Sequence, residues 1–182
     1  MENLLHSFEE AVLPHLRAAY NLAHWLTRNE TDAEDVVQEA YLRAFKHFGR
    51  FRGGDGLPWL LAIVRNTAYT WMQRNRSSEL MIHLDDELHE IESKDLNPEA
   101  LLLQSANTQM VRRTLEELPI EFREVVVLRE LEGLSYKQIA DVAEIPLGTV
   151  MSRLARARKR LQQGLAGHGN KETSRELAVG AF

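Results

Sequence analysis

Apolar residues recur every third or fourth position along most of this 182-residue chain, and no segment keeps a strict apolar–polar alternation. A 3.6-residue period is typical of an α-helix that packs one face on a core. Only 10 Gly and 5 Pro are present to interrupt such helices. The run Val125–Leu128 is rich in β-branched residues, but Pro119 before it and Gly133 after it are typical of helix boundaries. The sequence therefore predicts an all-α fold.

Charge divides the chain into two predicted helical domains. From 79 to 99 the charged residues are acidic except for Lys94, and the apolar residues show no sustained helical face. Asn97-Pro98 favours extended backbone at the end of this stretch, which is typical of a solvated linker. The predicted units are two small helical domains at 1–76 and 105–166, an acidic flexible linker at 77–104 and a flexible tail at 167–182.

Composition argues against several classes of protein. The formal net charge is -5 and there are no cysteines, so disulfides and thiolate metal sites are excluded. The N-terminus lacks the pattern of a signal peptide, and the best apolar run, 57–64, is too short to span a bilayer. We expect a cytoplasmic protein without membrane insertion, and neither a cofactor nor a small-molecule substrate.

A metal site or an enzyme is one alternative to consider from the residues. The acidic stretch contains side chains of the types that bind Zn²⁺, namely His83, Asp85, Asp86, Glu87 and His89. They lie in a predicted linker and lack the fixed spacing that builds a metal site. We therefore predict no metal site and no catalytic residues.

In the first domain, one predicted helix begins with acidic residues. Thr31 and Glu34 match a capping box, and the helix is expected to run to about Phe48. Its apolar face leaves Asp35, Gln38, Glu39 and Leu42 largely outside the core. Two interpretations remain open: a solvated helix start that the helix dipole favours, or a protein-binding surface.

A glycine-rich segment and a second long helix follow. The segment 48–56 carries two aromatic residues and two cations beside its glycines, a combination that suits stacking on unpaired bases, although a plain connector is the alternative. Pro58 is expected to begin a helix that extends to about Arg76. Its polar side is formed by Asn66, Tyr69, Thr70, Gln73 and Arg74.

The second domain contains a predicted helix-turn-helix. Ser135 and Gln138 match a capping box that opens a short helix, and Pro146 precedes a basic helix. From 145 to 170 there are five cations and no acids. The apolar seam of the basic helix comprises Val150, Leu154, Ala157 and Leu161, and the opposite side presents Thr149, Ser152, Ala155, Arg156 and Lys159. A nucleic-acid groove is the indicated partner, and a helical hairpin without a DNA role is the alternative.

Several motifs taken together resemble the extracytoplasmic-function (ECF) sigma factors of the sigma-70 family. They are the stretches 32–40, 59–68, 134–140, 145–150 and 152–154. Their order and spacing extend over most of 4–165. The resemblance implies a bacterial transcription-initiation subunit whose partners are the RNA polymerase core, through the β′ clamp helices and the β flap, promoter DNA, and an anti-sigma factor.

The resemblance also implies roles for individual residues. Those implied for core binding are Asp35, Gln38, Glu39 and Leu42. Those implied for the melted −10 element are Phe51, Arg52, Gly53, Asp55, Asn66, Tyr69 and Arg74. Those implied for the −35 duplex are Ser135, Thr149, Ser152, Arg153, Arg156, Lys159 and Arg160.

One position departs from the family pattern, and one other function stays open. Glu144 stands in the turn where the family often has glycine, so a left-handed backbone there would cost about 1–2 kcal/mol. The alternative function is a two-domain helix-turn-helix transcriptional regulator that does not act as a polymerase subunit.

Overall fold

The computed structural model describes the backbone of 2–79 and 108–179, and the side chains of 5–75 and 108–166. Every regular element in these two ranges is helical, as predicted. None of the helices in the described ranges is long and apolar enough to cross a membrane. Most of the predicted linker, and with it the His83–His89 cluster, lies outside the described residues.

The N-terminal domain, residues 2–79, contains four α-helices. They are α1 (Glu2–Val12), α2 (Leu16–Thr27), α3 (Glu30–His47) and α4 (Gly56–Glu79), with short 3₁₀ turns at Leu13–His15 and Phe48–Arg50. Helices α2, α3 and α4 pack against one another. Leu22, Val36, Leu60, Leu61 and Val64 are fully buried between them. Their spacing along each helix is the apolar period seen in the sequence.

Helix α3 begins earlier than the sequence predicted. Asn29 is its N-cap, and the Asn29 side chain accepts a hydrogen bond of 2.9 Å from the backbone N–H of Asp32. The predicted capping box at Thr31 and Glu34 is therefore wrong. Asparagine is among the strongest N-cap residues, and with its cap in place Thr31 falls inside the first helical turn.

Helix α4 also begins earlier, at Gly56 rather than at Pro58. The Asp55 carboxylate accepts a 3.0 Å hydrogen bond from the backbone N–H of Leu57. Gly56 is buried, and a Cβ placed on it would lie 2.2 Å from the carbonyl oxygen of Ala11. Only glycine allows the start of α4 to approach α1 this closely.

The C-terminal domain, residues 108–179, contains the remaining helices. They are α5 (108–116), α6 (Ile120–Val126) with a π-helical continuation at Val127–Leu131, α7 (Tyr136–Ala143) and α8 (Leu147–Val179). The predicted helix boundaries at Pro119 and Gly133 are confirmed, and Gly133 has a φ of +70°. The α8 backbone continues through 167–179, where a flexible tail was predicted. No proline follows Pro146 to end the helix.

The two domains pack against each other, which the sequence did not predict. Helix α4 contacts α7, and α2 contacts α6. Buried residues of both domains form one contiguous hydrophobic cluster. The acidic stretch at 79–99 predicted two independent domains joined by a linker. No periodic pattern in the sequence indicates a contact between surfaces that are so far apart in the chain.

Candidate nucleic-acid and protein interfaces

A solvent-open groove of about 360 Å³ lies between α3 and α4. All four predicted core-binding residues line it: Asp35, Gln38, Glu39 and Leu42. Leu42 is 68% exposed, although it is a large apolar side chain. Single exposed apolar side chains are common on protein surfaces, so both interpretations of the helix that carries Leu42 stay open at this point.

Helix α4 forms the other wall of the groove, and it contributes a residue that was predicted to contact DNA. Arg74, which the resemblance assigned to −10 DNA, lines the groove together with Trp71. The Trp71 indole N–H is buried and has no acceptor in the described part of the structure. Among the α3 side chains, Arg43 donates to Glu39 at 2.7 Å. Trp71 is half-buried, so its ring both packs on the core and borders the groove.

The residues of the predicted base-stacking segment 48–56 have two different environments in the structure. The ring of Phe51 stacks on Phe48 with centroids 5.5 Å apart, and it lies 5.1 Å from Trp59. Phe51 is therefore held in an aromatic cluster of its own domain. Arg52 and Gly53 are exposed, and Gly53 has a φ of +80°, a left-handed conformation that favours glycine.

Tyr69 and its neighbour Arg65 on α4 face the C-terminal domain. The Arg65 guanidinium lies over the Tyr69 ring, 4.6 Å from its centroid, and Arg65 Nε donates to the Glu124 carboxylate of α6. Burial raises the pKa of Tyr69 to about 12. Burial also raises the pKa of Glu124, and the nearby charge of Arg65 opposes that rise. Predicted −10 residue Tyr69 thus packs beside a buried ion pair between the domains.

Two more predicted −10 residues contact the C-terminal domain. The Asn66 side-chain amide donates to Glu144 Oε1 at 3.2 Å. Asp55 Oδ2 accepts from the Gln138 side-chain amide at 3.3 Å. Asp55, Asn66 and Tyr69 therefore lie on the side of the N-terminal domain that meets α6, α7 and the turn after α7. Tyr69 is half-buried there, whereas Asp55 and Asn66 remain exposed.

The helix-turn-helix has the predicted local geometry. The Ser135 hydroxyl accepts from the backbone N–H of Gln138 at 3.2 Å, and the Gln138 side chain accepts from the backbone N–H of Ser135 at 2.8 Å. This capping box is confirmed, and it occupies the side chain of Ser135. Glu144 follows α7 with a φ of 54°, the left-handed turn position anticipated from the sequence.

Helix α8 packs one face and exposes the other. The predicted seam is confirmed for Val150, Leu154 and Ala157, which are buried. The predicted −35 residues Ser152, Arg156, Lys159 and Arg160 are exposed, whereas Thr149 and Arg153 are half-buried. Arg160 lies over the ring of Phe122 at 5.1 Å. The exposed face offers hydroxyls and cations, the groups that contact bases and phosphates in duplex DNA.

Two family models match the chain in the order of the two domains. The model described as "Sigma-70 region 2" matches residues 11–78, and the model described as "Sigma-70, region 4" matches residues 108–161. The charged outer face of α8 thus falls in region 4, and the α3–α4 groove falls in region 2.

Characterised relatives extend the match over most of the chain. The ECF RNA polymerase sigma factor SigE of Mycolicibacterium smegmatis is 36% identical over 91% of this chain, a match that spans 64% of the relative. The ECF RNA polymerase sigma-E factor of Escherichia coli is 40% identical over 70% of this chain and 71% of the relative. This chain thus spans just under two thirds of the first of these relatives.

Solved structures share the fold. The sigma factor RpoE of Bartonella quintana, in complex with the anti-sigma factor NepR, matches with a TM-score of 0.71 and 27% identity, covering 88% of this chain and 97% of the other. CnrH, in complex with the cytosolic domain of CnrY, matches with a TM-score of 0.60 and 25% identity over 90% of each chain. Motifs, domain order and relatives agree: the chain belongs to the ECF sigma factors of the sigma-70 family.

Proposed function

We propose that this protein binds the core RNA polymerase and directs promoter-specific initiation of transcription. The observation that carries the proposal is the presence of two surfaces of opposite character on one chain. The α3–α4 groove combines exposed leucine with carboxylates, and the exposed face of α8 combines hydroxyls with cations. A polymerase subunit that selects promoters needs both a protein-binding surface and a DNA-binding surface.

The core polymerase binds at the α3–α4 groove. Asp35, Gln38, Glu39 and Leu42 contact the β′ clamp helices, with Leu42 as the apolar anchor and the carboxylates setting orientation. Apolar anchors supply most of an interface's affinity, whereas charges mainly select the partner. The C-terminal domain contacts the β flap. Arg74 belongs to the groove by its position, so its contribution to −10 DNA is secondary.

Duplex −35 DNA binds along the exposed face of α8. Thr149, Ser152 and Arg156 lie near the start of the helix, where a recognition helix meets base edges. Arg153, Lys159 and Arg160 hold phosphates and set the register, as most cationic contacts to duplex DNA do. The Ser135 hydroxyl caps α7, so its role is to fix the turn geometry.

Melted −10 DNA binds at the start and along one side of α4. Arg52, Gly53 and Asp55 form the exposed part of the preceding segment, and Asn66 and Tyr69 continue the surface along the helix. Capture of an extruded base offsets an unstacking cost of a few kcal/mol. Phe51 supports this surface from within the aromatic cluster.

An anti-sigma factor regulates the protein, and the site of action is the cytoplasm, where the polymerase transcribes. The support is that a similar solved structure, RpoE of Bartonella quintana, is a complex with the anti-sigma factor NepR. The protein itself is a subunit without catalytic activity and without a cofactor.

Run-off transcription tests the proposal. Purified Escherichia coli core polymerase is mixed with the protein and a pool of DNA with randomised promoter regions, and the transcribed templates are sequenced. We expect enrichment of a two-box sequence with fixed spacing. No enrichment, together with retained DNA binding by the isolated protein, would support a two-domain regulator that is not a polymerase subunit.

A further inference from the structure

Helix α8 exposes apolar side chains beside its hydroxyls and cations. Leu147 is 50% exposed, and Met151, one helical turn further on, is 54% exposed. Ala155, after one more turn, is also exposed. Residues spaced by four positions form a ridge on the surface of a helix, so these three side chains form one apolar ridge. None of them has a role in the function proposed above.

The apolar ridge borders the side chains that are proposed to meet base edges. Ser152 and Arg156 each follow a member of the apolar ridge by one position, so they belong to the neighbouring ridge, and both are exposed. Val150 and Leu154 each precede a member by one position, and both are buried. The apolar ridge therefore lies between the buried seam of α8 and its polar ridge, at the edge of the exposed face.

The surroundings of the apolar ridge favour a DNA duplex as its partner. The ridge is continuous with cationic side chains, and the sequence from 145 to 170 contains no acidic residue that would repel phosphates. The major groove of DNA presents an apolar group at its base edges, which is the C5-methyl group of thymine. Apolar side chains contact that methyl group, whereas hydroxyls and guanidinium groups bind the polar atoms of the bases.

We propose that Met151 is a specificity-determining residue that reads the C5-methyl group of a thymine in the −35 element, and that Leu147 extends this apolar contact by one turn. The proposal rests on the function proposed above for α8. Methionine suits the role because its unbranched side chain adapts to the shape of its partner. Met151 and Arg156 are five residues apart, which is about 7.5 Å along a helix axis. We therefore expect the thymine within about two base pairs of the base that Arg156 contacts.

Replacement of thymine by uracil tests the proposal, because it removes only the methyl group and keeps the base pair. A promoter from the run-off selection is prepared with each thymine of the −35 box, on either strand, replaced singly by uracil. Initiation is measured with the full chain and Escherichia coli core polymerase, both at limiting concentration. For the native chain we expect one replacement to lower initiation about fourfold, as for the loss of one buried methyl group.

Three variants assign this effect to a residue. In Met151→Ala we expect lower initiation on the thymine template and no remaining difference between thymine and uracil, because the side chain that contacts the methyl group is gone. Met151→Gln keeps a similar length but ends in an amide, and we expect the same loss of discrimination. Leu131→Ala is the matched control, since Leu131 is 51% exposed but ends the π-helical segment outside α8. We expect this control to keep the fourfold difference.

Three results would overturn the reading of a methyl group by Met151. They are a selected −35 box without thymine, a native chain that responds to none of the uracil replacements, and a difference that persists in Met151→Ala. Equal losses in Met151→Ala on both templates would also overturn it, and would indicate that the apolar ridge binds a protein instead. With a selected two-box promoter in hand, each of these results leaves the proposed sigma function standing.

Failure of the chain to start transcription with core polymerase would overturn the sigma function instead. Duplexes are then selected by their binding to the full chain, and fluorescence anisotropy compares thymine with uracil in the selected duplexes. Weaker binding to uracil by the native chain, but not by Met151→Ala, would support the methyl contact. Equal binding to both bases by the native chain would overturn it.

Discussion

The two surfaces proposed to read DNA differ in how open they are. On α8 the side chains of Ser152, Arg156 and Lys159 are exposed to solvent. On α4, by contrast, Asn66 is hydrogen-bonded across the domain interface and Tyr69 is half-buried beside Glu124. The same conformation therefore leaves the duplex-reading surface free, whereas the strand-reading surface contacts the C-terminal domain through Asn66 and Tyr69.

This difference gives the free protein an order of events. Cations on the open face attract a duplex over distances of about a Debye length, roughly 10 Å in 0.1 M salt, without any change of conformation. A melted strand that contacts Asn66 or Tyr69 would compete with the hydrogen bonds that these side chains make across the domain interface. Variants that act on only one of the two surfaces can test this separation.

The largest expected effect is on the stability of the N-terminal domain alone. In Gly56→Ala the new methyl group meets the carbonyl oxygen of Ala11, so the start of α4 must move away from α1. We expect the free energy of unfolding to fall by about 1–3 kcal/mol, measured by urea denaturation with circular dichroism. Gly49→Ala is the control, since a Cβ there meets nothing within 4 Å. Equal stability of the two variants would show that α1 and α4 do not pack this closely.

The next effect separates the two DNA-reading surfaces. Arg156→Ala removes an exposed cation from the open face of α8, and we expect initiation that depends on the −35 element to fall about tenfold. Arg74→Ala acts at the α3–α4 groove, and we expect it to reduce −35-dependent initiation far less. Run-off transcription at a selected promoter, with core polymerase in excess, measures both. Equal losses would contradict the division of labour between the surfaces.

The smallest effect is a pH dependence of stability at the half-buried His24 of α2. Burial of His24 lowers its pKa from the ordinary value of 6.5, and the charge of Arg112 on α5 lowers it further. A histidine with a depressed pKa binds its proton more readily in the unfolded chain. Its contribution to stability is therefore present above about pH 6.5 and is lost as the pH falls through the folded-state pKa.

The corresponding measurement is the free energy of unfolding between pH 7 and pH 5. We expect a decline with falling pH that is shallower in His24→Gln. His47→Gln, at the exposed end of α3, serves as the control and should keep the original slope. A slope that His24→Gln leaves unchanged would show that this imidazole is not buried against Arg112.

Local elements were predictable because their causes are local. The capping box at Ser135 and the buried seam of α8 follow from residues within a few turns of one another. The start of α3 was mispredicted because Asn29 and Thr31 are both good N-caps, and the sequence alone does not choose between them. The segment 167–182 was expected to be a flexible tail because it matches none of the motifs, whereas the helical backbone of α8 continues to Val179.

Contacts between the domains were not predictable, because each depends on residues far apart in the chain. Arg65 and Glu124 are 59 positions apart, and Asn66 and Glu144 are 78 apart. Nothing in the local pattern around Glu124 distinguishes a buried carboxylate from a solvated one. The motifs thus identified the candidate site residues, but only the folded structure shows which of their side chains are accessible to solvent.

The most direct test uses two promoter fragments whose sequence comes from the run-off selection. Both fragments carry the −35 duplex, and only one of them also carries a melted −10 strand. Fluorescence anisotropy measures their affinities for the free protein and for its complex with core polymerase. We predict that the melted strand adds nothing to the affinity of the free protein and increases that of the complex. An equal gain in both states would show that the contacts of Asn66 and Tyr69 with the C-terminal domain do not hinder strand binding.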